Sequence, residues 1–537
     1  MILKFLKRSA LAGVPVAALI LAAAPADAAG TLRVGMTISD IPLMTGMADQ
    51  GSEGQRFVGR TLYDGLVIWD VTSADKPSDL APGLAESWSV DENDHTRWIF
   101  KIRQNARFHD GSVFDAHAAV WNFDKMLKQD SEQFDPRQSG LGVTQIPAVK
   151  SYKALDDYTL EITTGEPDAT LPYQLTWIMM SSPANWEAQG KDWKKVASHP
   201  SGTGPWKFDS FVPRERVELV PNTDHWNPDR VPKLDRLVLV PLPEPNARTA
   251  ALMSGQVDWI EAPVYDMIPA LKANGFEIVT NPLPHNWVWQ FSLLDNSPWK
   301  DIKVRQAANL AIDREGMKAL LGDLMIPAKG FLPPTSQWFG HPAFDVRYDV
   351  EAAKTLLAEA GYGPDKRLKV KTVISPSGSG QMLPLPMNEF IQQNLAEIGI
   401  DVEFEVVEFN TLVDILRAGA GSEIAKDTNA INYTYSVQDP FTAGINKISC
   451  NAVAPKGTNW GHYCDPEMEA LIKQIRSTFD PTEQTKVVQK MHEKNVDNAL
   501  FLMVTHDVAP RAMSTKVKGF VPAQNWFPSL TTVTIEE

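Results

Sequence analysis

The chain has 537 residues, with 51 Lys+Arg against 66 Asp+Glu and a formal net charge of −15. Such an acidic surface repels phosphate backbones and anionic lipid, which argues against nucleic-acid binding and electrostatic membrane docking. Two cysteines and 43 % hydrophobic content suit an ordinary globular protein, and 537 residues are too many for one core, so two or three domains are expected.

The N-terminus carries Lys4, Lys7 and Arg8, then an apolar run from 10 to 24, then Pro25, Ala26, Asp27 and Ala28. A basic start, a short hydrophobic stretch and an A-x-A pattern read as a secretory signal peptide over 1–28, cut after Ala28. The apolar run is shorter than the roughly 20 residues a spanning helix needs. Cleavage removes three basic residues and one acidic one and takes the net charge to −17. Both cysteines lie far downstream, so no lipid-bearing cysteine follows the cut. The expected destination is the periplasm, as a secreted protein rather than a lipoprotein.

Thr31–Met36 alternates like a strand and opens the mature fold. Residues from about 60 to 200 mix short strands, such as Arg97–Ile102, with a helix after Asp115, and read as an inserted subdomain. A strand over 237–240, a helix over 246–254 stopped by Gly255, and a strand over 257–260 follow. Further on, Asp349 caps a helix with Val350, Ala353, Leu356, Leu357 and Ala360 on one face, ending at Gly361. The strand Leu368–Ile374, a helix over 387–398 stopped by Gly399, alternating Ile400, Val402, Phe404 and Val406, a helix over 410–418 and a strand over 430–434 complete the rhythm. Strand–helix alternation in an early and a late unit predicts an α/β protein of two lobes with open, largely parallel sheets. Ligands of such sheets sit beyond the strands' carboxyl ends, here the loops after Thr37, Ile374 and Thr434.

No H-E-x-x-H, G-x-S-x-G or G-x-x-x-x-G-K-[ST] occurs, and the ten histidines form no ligand-spaced pair. His109, Asp110 and His117 read as surface or turn residues. No metal, cofactor or enzymatic activity is expected.

Five phrases in order carry a resemblance: LAPGLAESW (80–88), FHDG (108–111), GTGPW (202–206), DIKVRQA (301–307) with AIDRE (311–315), and QDP (438–440). Together they resemble the peptide/nickel type of ABC-importer solute-binding protein, the dipeptide- and oligopeptide-binding family. The resemblance implies a type II periplasmic-binding-protein fold with an inserted subdomain and a hinge cleft. Lobe I would be 29–283 plus 508–537, including the subdomain at about 60–200, and lobe II would be 284–507. The implied function is capture of a small organic ligand by hinge closure and delivery to permease subunits in the inner membrane, by a monomer. A secreted hydrolase, or a binding protein used in signalling or chaperoning, is the alternative. Gly202, Gly204 and Pro205 suit a tight turn, Trp206 core, and Arg305 with Asp313 a structural polar network. The family also implies a disulfide between Cys450 and Cys464.

Specificity should depart from the peptide-binding members. Their W-x-x-D stretch supplies an aspartate for the ligand's α-amino group, and here it reads Tyr433-Thr434-Tyr435-Ser436, with serine in place of the aspartate. Dipeptide binders place an arginine for the ligand carboxylate in the loop that here spans Ser375 to Gln381, which contains none. Hydrogen bonds to charged groups contribute about 1.5–3 kcal/mol each, and an unpaired buried charge costs more. Free dipeptides should therefore bind poorly. The candidate ligand residues are Asn286, Trp287, Trp289, Ser375, Ser377, Gln381, Tyr433, Tyr435 and Ser436, aromatic and hydroxyl-rich. They suit a sugar, a modified amino acid or opine, a small chelate, or a cation over a π face; a peptide held through its backbone stays open. Trp287 and Trp289 share one strand face and equally suit core packing.

Overall fold

The computed structural model describes residues 30–46, 51–378 and 380–536; the expected signal peptide lies outside them. Two mixed sheets organise the chain. The first has seven strands in the order Glu277–Val279, Arg511–Met513, Trp259–Glu261, Thr31–Met36, Arg236–Pro241, Arg216–Pro221 and Trp206–Val212. The second has six, in the order Met325–Pro327, Phe501–Asp507, His285–Phe291, Ala430–Ser436, Leu368–Ile374 and Ile400–Val406. Among the described residues the parallel pairings of the first sheet are those of Thr31–Met36 with its two neighbours, and those of the second are Leu368–Ile374 with its two; the other pairings are antiparallel. The sheets are thus less parallel than the strand–helix rhythm suggests. That rhythm marks the crossover units alone, while hairpins and strands arriving from the other sheet add antiparallel partners.

The chain passes between the sheets at 280–284 and 508–510, side by side: Leu283 N–H donates to Asp507 O at 2.9 Å and Asn281 N–H to Val508 O at 3.0 Å. A four-stranded antiparallel sheet, Ala85–Val90, Arg97–Ile102, Thr159–Thr164 and Val149–Asp156, packs against the helix Ala116–Leu127 around Trp98, Phe100, Phe123 and Leu160. This unit also touches the second lobe, where Ala169 N–H reaches Arg476 O at 2.7 Å and Tyr173 meets Phe441 with ring centres 4.7 Å apart.

Local signals place the helices well. Asp349 accepts from Ala352 N–H at 3.0 Å and starts Val350–Glu359, and Gly399, at φ +98°, ends Pro384–Ile398. Arg305 gives its guanidinium to the carbonyls of Trp299, Lys300 and Asn498, whereas Asp313 caps Arg314–Leu320 through Gly316 N–H. Both are structural, but they serve separate helix ends rather than one network.

Cys450 and Cys464 are joined, closing a loop with a sequence separation of 14. In the chain-entropy account a loop of about 15 residues is worth about 3 kcal/mol. Cys450→Ser with Cys464→Ser should lower the unfolding free energy by about that amount, measured by urea denaturation. A midpoint equal to that of the native protein would refute it.

Candidate functional site

A cavity of about 200 Å³ lies between the two sheets, beside the paired crossovers. Its first wall comes from Thr37, just past Thr31–Met36, with Glu53, Arg56, Glu261 and Tyr265; the opposite wall is the loop after Leu368–Ile374, with Ser377, Gly380 and Gln381. Asp507 and Trp526 close the side. Of the three loops expected from strand ends, the one after Ile374 lines it, the one after Thr37 reaches it only through Thr37 itself, and the loop after Thr434 does not.

The first wall is a buried charge cluster. Glu53 and Arg56 flank the start of a π-helical turn, Gln55–Gly59, within the helical stretch after residue 51. Arg56 reaches Glu53 at 3.2 Å and Glu261 at 2.5 Å, and Arg511 reaches Glu261 at 3.0 Å. Trp259 donates its indole N–H to Glu261 at 2.7 Å, and Thr37 donates its hydroxyl to Glu53 at 3.0 Å. Two carboxylates thus pair directly with two guanidiniums, as charges this deep require. Arg248 gives its N–H groups to the carbonyls of Glu261, Leu242, Pro243 and Ala262; burial, offset by Glu53 and Glu261, pulls it down to about 10.

The opposite loop is anchored from beneath. Trp287 donates its indole N–H to Gln381 O at 3.1 Å, and Ser375 its hydroxyl to Ser377 O at 2.8 Å. Gly380 sits at φ +68°, where a Cβ would fall 2.3 Å from the His285 ring, so no larger residue fits. His285 in turn stacks on Trp526 at 4.3 Å, and the Arg56 guanidinium lies 4.4 Å from the centre of that indole.

Of the nine residues selected from sequence, Ser377 and Gln381 line the cavity. Trp287 and Ser375 shape its loop without lining it. Trp289 is fully buried, donates to Asn388 Oδ1 at 2.8 Å and packs edge-on against Phe404. Tyr433 stacks on Phe409, and Tyr435 donates to Gln290 Oε1 at 2.7 Å with the Lys447 ammonium 4.7 Å from its ring centre. The π face suited to a ligand cation thus carries one of the chain's own. Asn286 donates to Phe331 O at 3.0 Å. Ser436 pairs with His285 across the sheet, and its buried hydroxyl has no protein partner among the described residues. His109, outside the cavity, bonds Gly204 O at 3.0 Å, while His117 is exposed and 3.4 Å from Asp157.

Sequence reading missed Glu53, Arg56, Glu261, Tyr265, His285, Asp507 and Trp526. For His285 and Asp507 a signal existed: they abut the two expected lobe crossovers, where the two lobes come together. For the others nothing local distinguishes them.

A model of the bacterial extracellular solute-binding proteins, family 5 (middle region), matches residues 79–441. The chain belongs to this family. It is a solute-binding protein, and the hydrolase alternative finds no support. Among its relatives are the dipeptide-binding protein of Escherichia coli K12, 25 % identical over 86 % of each chain, and heme-binding protein A of Haemophilus influenzae, 26 % identical over 83 % of this chain and 82 % of the other. A periplasmic binding protein associated with an ABC transporter of Helicobacter pylori, in complex with the peptide STSA, superposes with a TM-score of 0.80 at 22 % identity, covering 95 % of this chain and 98 % of that one. The agropinic acid complex of AgaA from A. tumefacien R10 gives a TM-score of 0.76 at 22 % identity, covering 95 % and 99 %. The fold is therefore shown over nearly the whole chain, with partners as different as a peptide and agropinic acid in its structural neighbours. No helix of the described residues is long and apolar enough to cross a membrane.

Proposed function

We propose that this solute-binding protein is exported, loses residues 1–28, and works in the periplasm as the monomeric capture component of an ABC importer. A small organic solute closes the lobes about the crossovers 280–284 and 508–510, and the closed form docks on the permease. The observation that carries this reading is the cavity itself, walled from both sheets beside both crossovers, so that one ligand touches each lobe and the hinge at once. A ligand bridging both lobes binds the closed form differentially, which is what shifts the equilibrium.

Ordinary dipeptides are not the cargo. Ser436 stands where the peptide binders carry an aspartate, and Arg56 and Arg248 are committed to the protein's own carboxylates and carbonyls. A plain dipeptide would bury a carboxylate with no free guanidinium to pair it. Calorimetric titration with a dipeptide library should show no binding of micromolar affinity. One plain dipeptide that binds at that strength overturns this reading.

A further inference from the structure

We propose that Asp507, with Tyr265 and Gln381, receives a protonated amine, so that the captured solute is a small organic cation without a carboxylate beside its nitrogen. This rests on the capture function above and names the chemistry of the captured group.

The three side chains come from different parts of the fold and line one cavity: Tyr265 from the first lobe, Gln381 from the loop of the second, Asp507 from the end of the strand Phe501–Asp507 where it meets the crossover. All are buried, at 5 %, 1 % and 5 % exposure. The Tyr265 hydroxyl and both amide atoms of Gln381 have no protein partner among the described residues. Asp507 Oδ1 accepts from Ala509 N–H at 2.7 Å, but the nearest basic group to Oδ2 is His285 Nδ1 at 3.6 Å, beyond hydrogen-bond reach. Buried polar groups are ordinarily bonded, so the unpartnered Tyr265 hydroxyl and Gln381 amide on one small cavity mark a recognition surface rather than a packing core.

The kind of atom identifies the ligand group. An ammonium offers three N–H donors and no acceptor. Asp507 Oδ2, the Tyr265 oxygen and Gln381 Oε1 offer three acceptors, one of them charged. Gln381 Nε2 remains to donate to a neutral oxygen elsewhere on the solute. A ligand carboxylate meets the opposite situation, because Arg56 is held between Glu53 and Glu261, and Arg248 is given to backbone carbonyls. A cavity of about 200 Å³ also lies below the roughly 300 Å³ at which drug-sized sites begin, which favours a compact ligand.

The test titrates the full mature chain with leucinamide, glucosamine and phenethylamine, each beside its N-acetylated form, with calorimetry and melting as readouts. At least one amine should bind, its acetylated form should bind about tenfold more weakly or worse, and Asp507→Asn should lose about tenfold or more. Asp507→Asn keeps the oxygen that caps Ala509; Tyr265→Phe removes a single oxygen and should lose affinity in the same direction, which guards against a folding artefact. Three results overturn the proposal: no amine of the panel binds, acetylated and free forms bind alike, or both variants keep the native affinity. Binding of acetylated forms alone would sink the cation assignment and leave solute capture standing. Silence of amines and acetylated forms alike would end the cation assignment and leave solute capture standing, since neutral solutes outside the panel can still bind.

Discussion

Gly202→Ala should yield little or no folded protein. A Cβ at Gly202 would lie 2.0 Å from Leu62 O and 2.5 Å from the Tyr63 ring, and a Cβ at Gly204 would lie 2.5 Å from Thr61 O. The obstruction at both positions includes backbone, which cannot rotate away as the tip of a side chain can. Moving it breaks the bonds that tie the segment down: His109 N–H to Gly202 O at 2.8 Å and Gly204 N–H to Leu62 O at 3.0 Å. The GTGPW phrase is therefore glycine-rich because two chain segments cross at contact distance, and neither glycine needs a positive φ. The expected loss exceeds about 4 kcal/mol, the range reserved for gross steric or electrostatic faults. Gly140→Ala is the control. Nothing lies within 4 Å of its Cβ site and it falls inside the helix Pro136–Gly142, so it should be neutral or gain up to about 1 kcal/mol. Urea unfolding of the two variants separates them; a Gly202→Ala midpoint matching the native one would show that the crossing relaxes freely.

Helix ends were legible because their causes are local: the Asp349 cap, and Gly361 and Gly399 in left-handed backbone, need only neighbouring residues. The loops that line the cavity were partly legible, since the rule about strand ends requires only strand order and placed Ser377 and Gln381. The aromatic run Trp287–Trp289 misleads for a physical reason. Every residue of His285–Phe291 is buried, so both faces of this central strand are covered and alternation no longer separates core from cleft. The indoles fell on the face under the helix Pro384–Ile398, where Asn388 takes the Trp289 N–H. Glu53, Arg56, Glu261 and Arg511 lay beyond reach altogether. They are brought together by the sheet and its crossovers, and each by itself reads as a surface charge.

That cluster sets the second large effect. Arg56→Met keeps most of the aliphatic stem beside Trp526 but removes the charge that serves both Glu53 and Glu261. Of the directly paired groups, Glu53 then loses its guanidinium while Glu261 keeps Arg511, with Glu53, Arg56 and Glu261 all within 4 % exposure at the side chain. Breaking a buried pair from one side costs about 3–5 kcal/mol, because the remaining charge stays desolvated without its partner. Adding Glu53→Gln removes that carboxylate charge: Glu261 keeps Arg511, and the glutamine oxygen still accepts the Thr37 hydroxyl. The double variant should therefore recover at least half of what Arg56→Met loses, a strongly non-additive pair, as expected for residues in one network. Packing loss predicts the opposite, since Gln at 53 does nothing for the contact on Trp526. Denaturant unfolding of the two single variants and the double decides between them; a double variant no more stable than Arg56→Met would mean that shape, and not charge balance, holds this wall of the cavity.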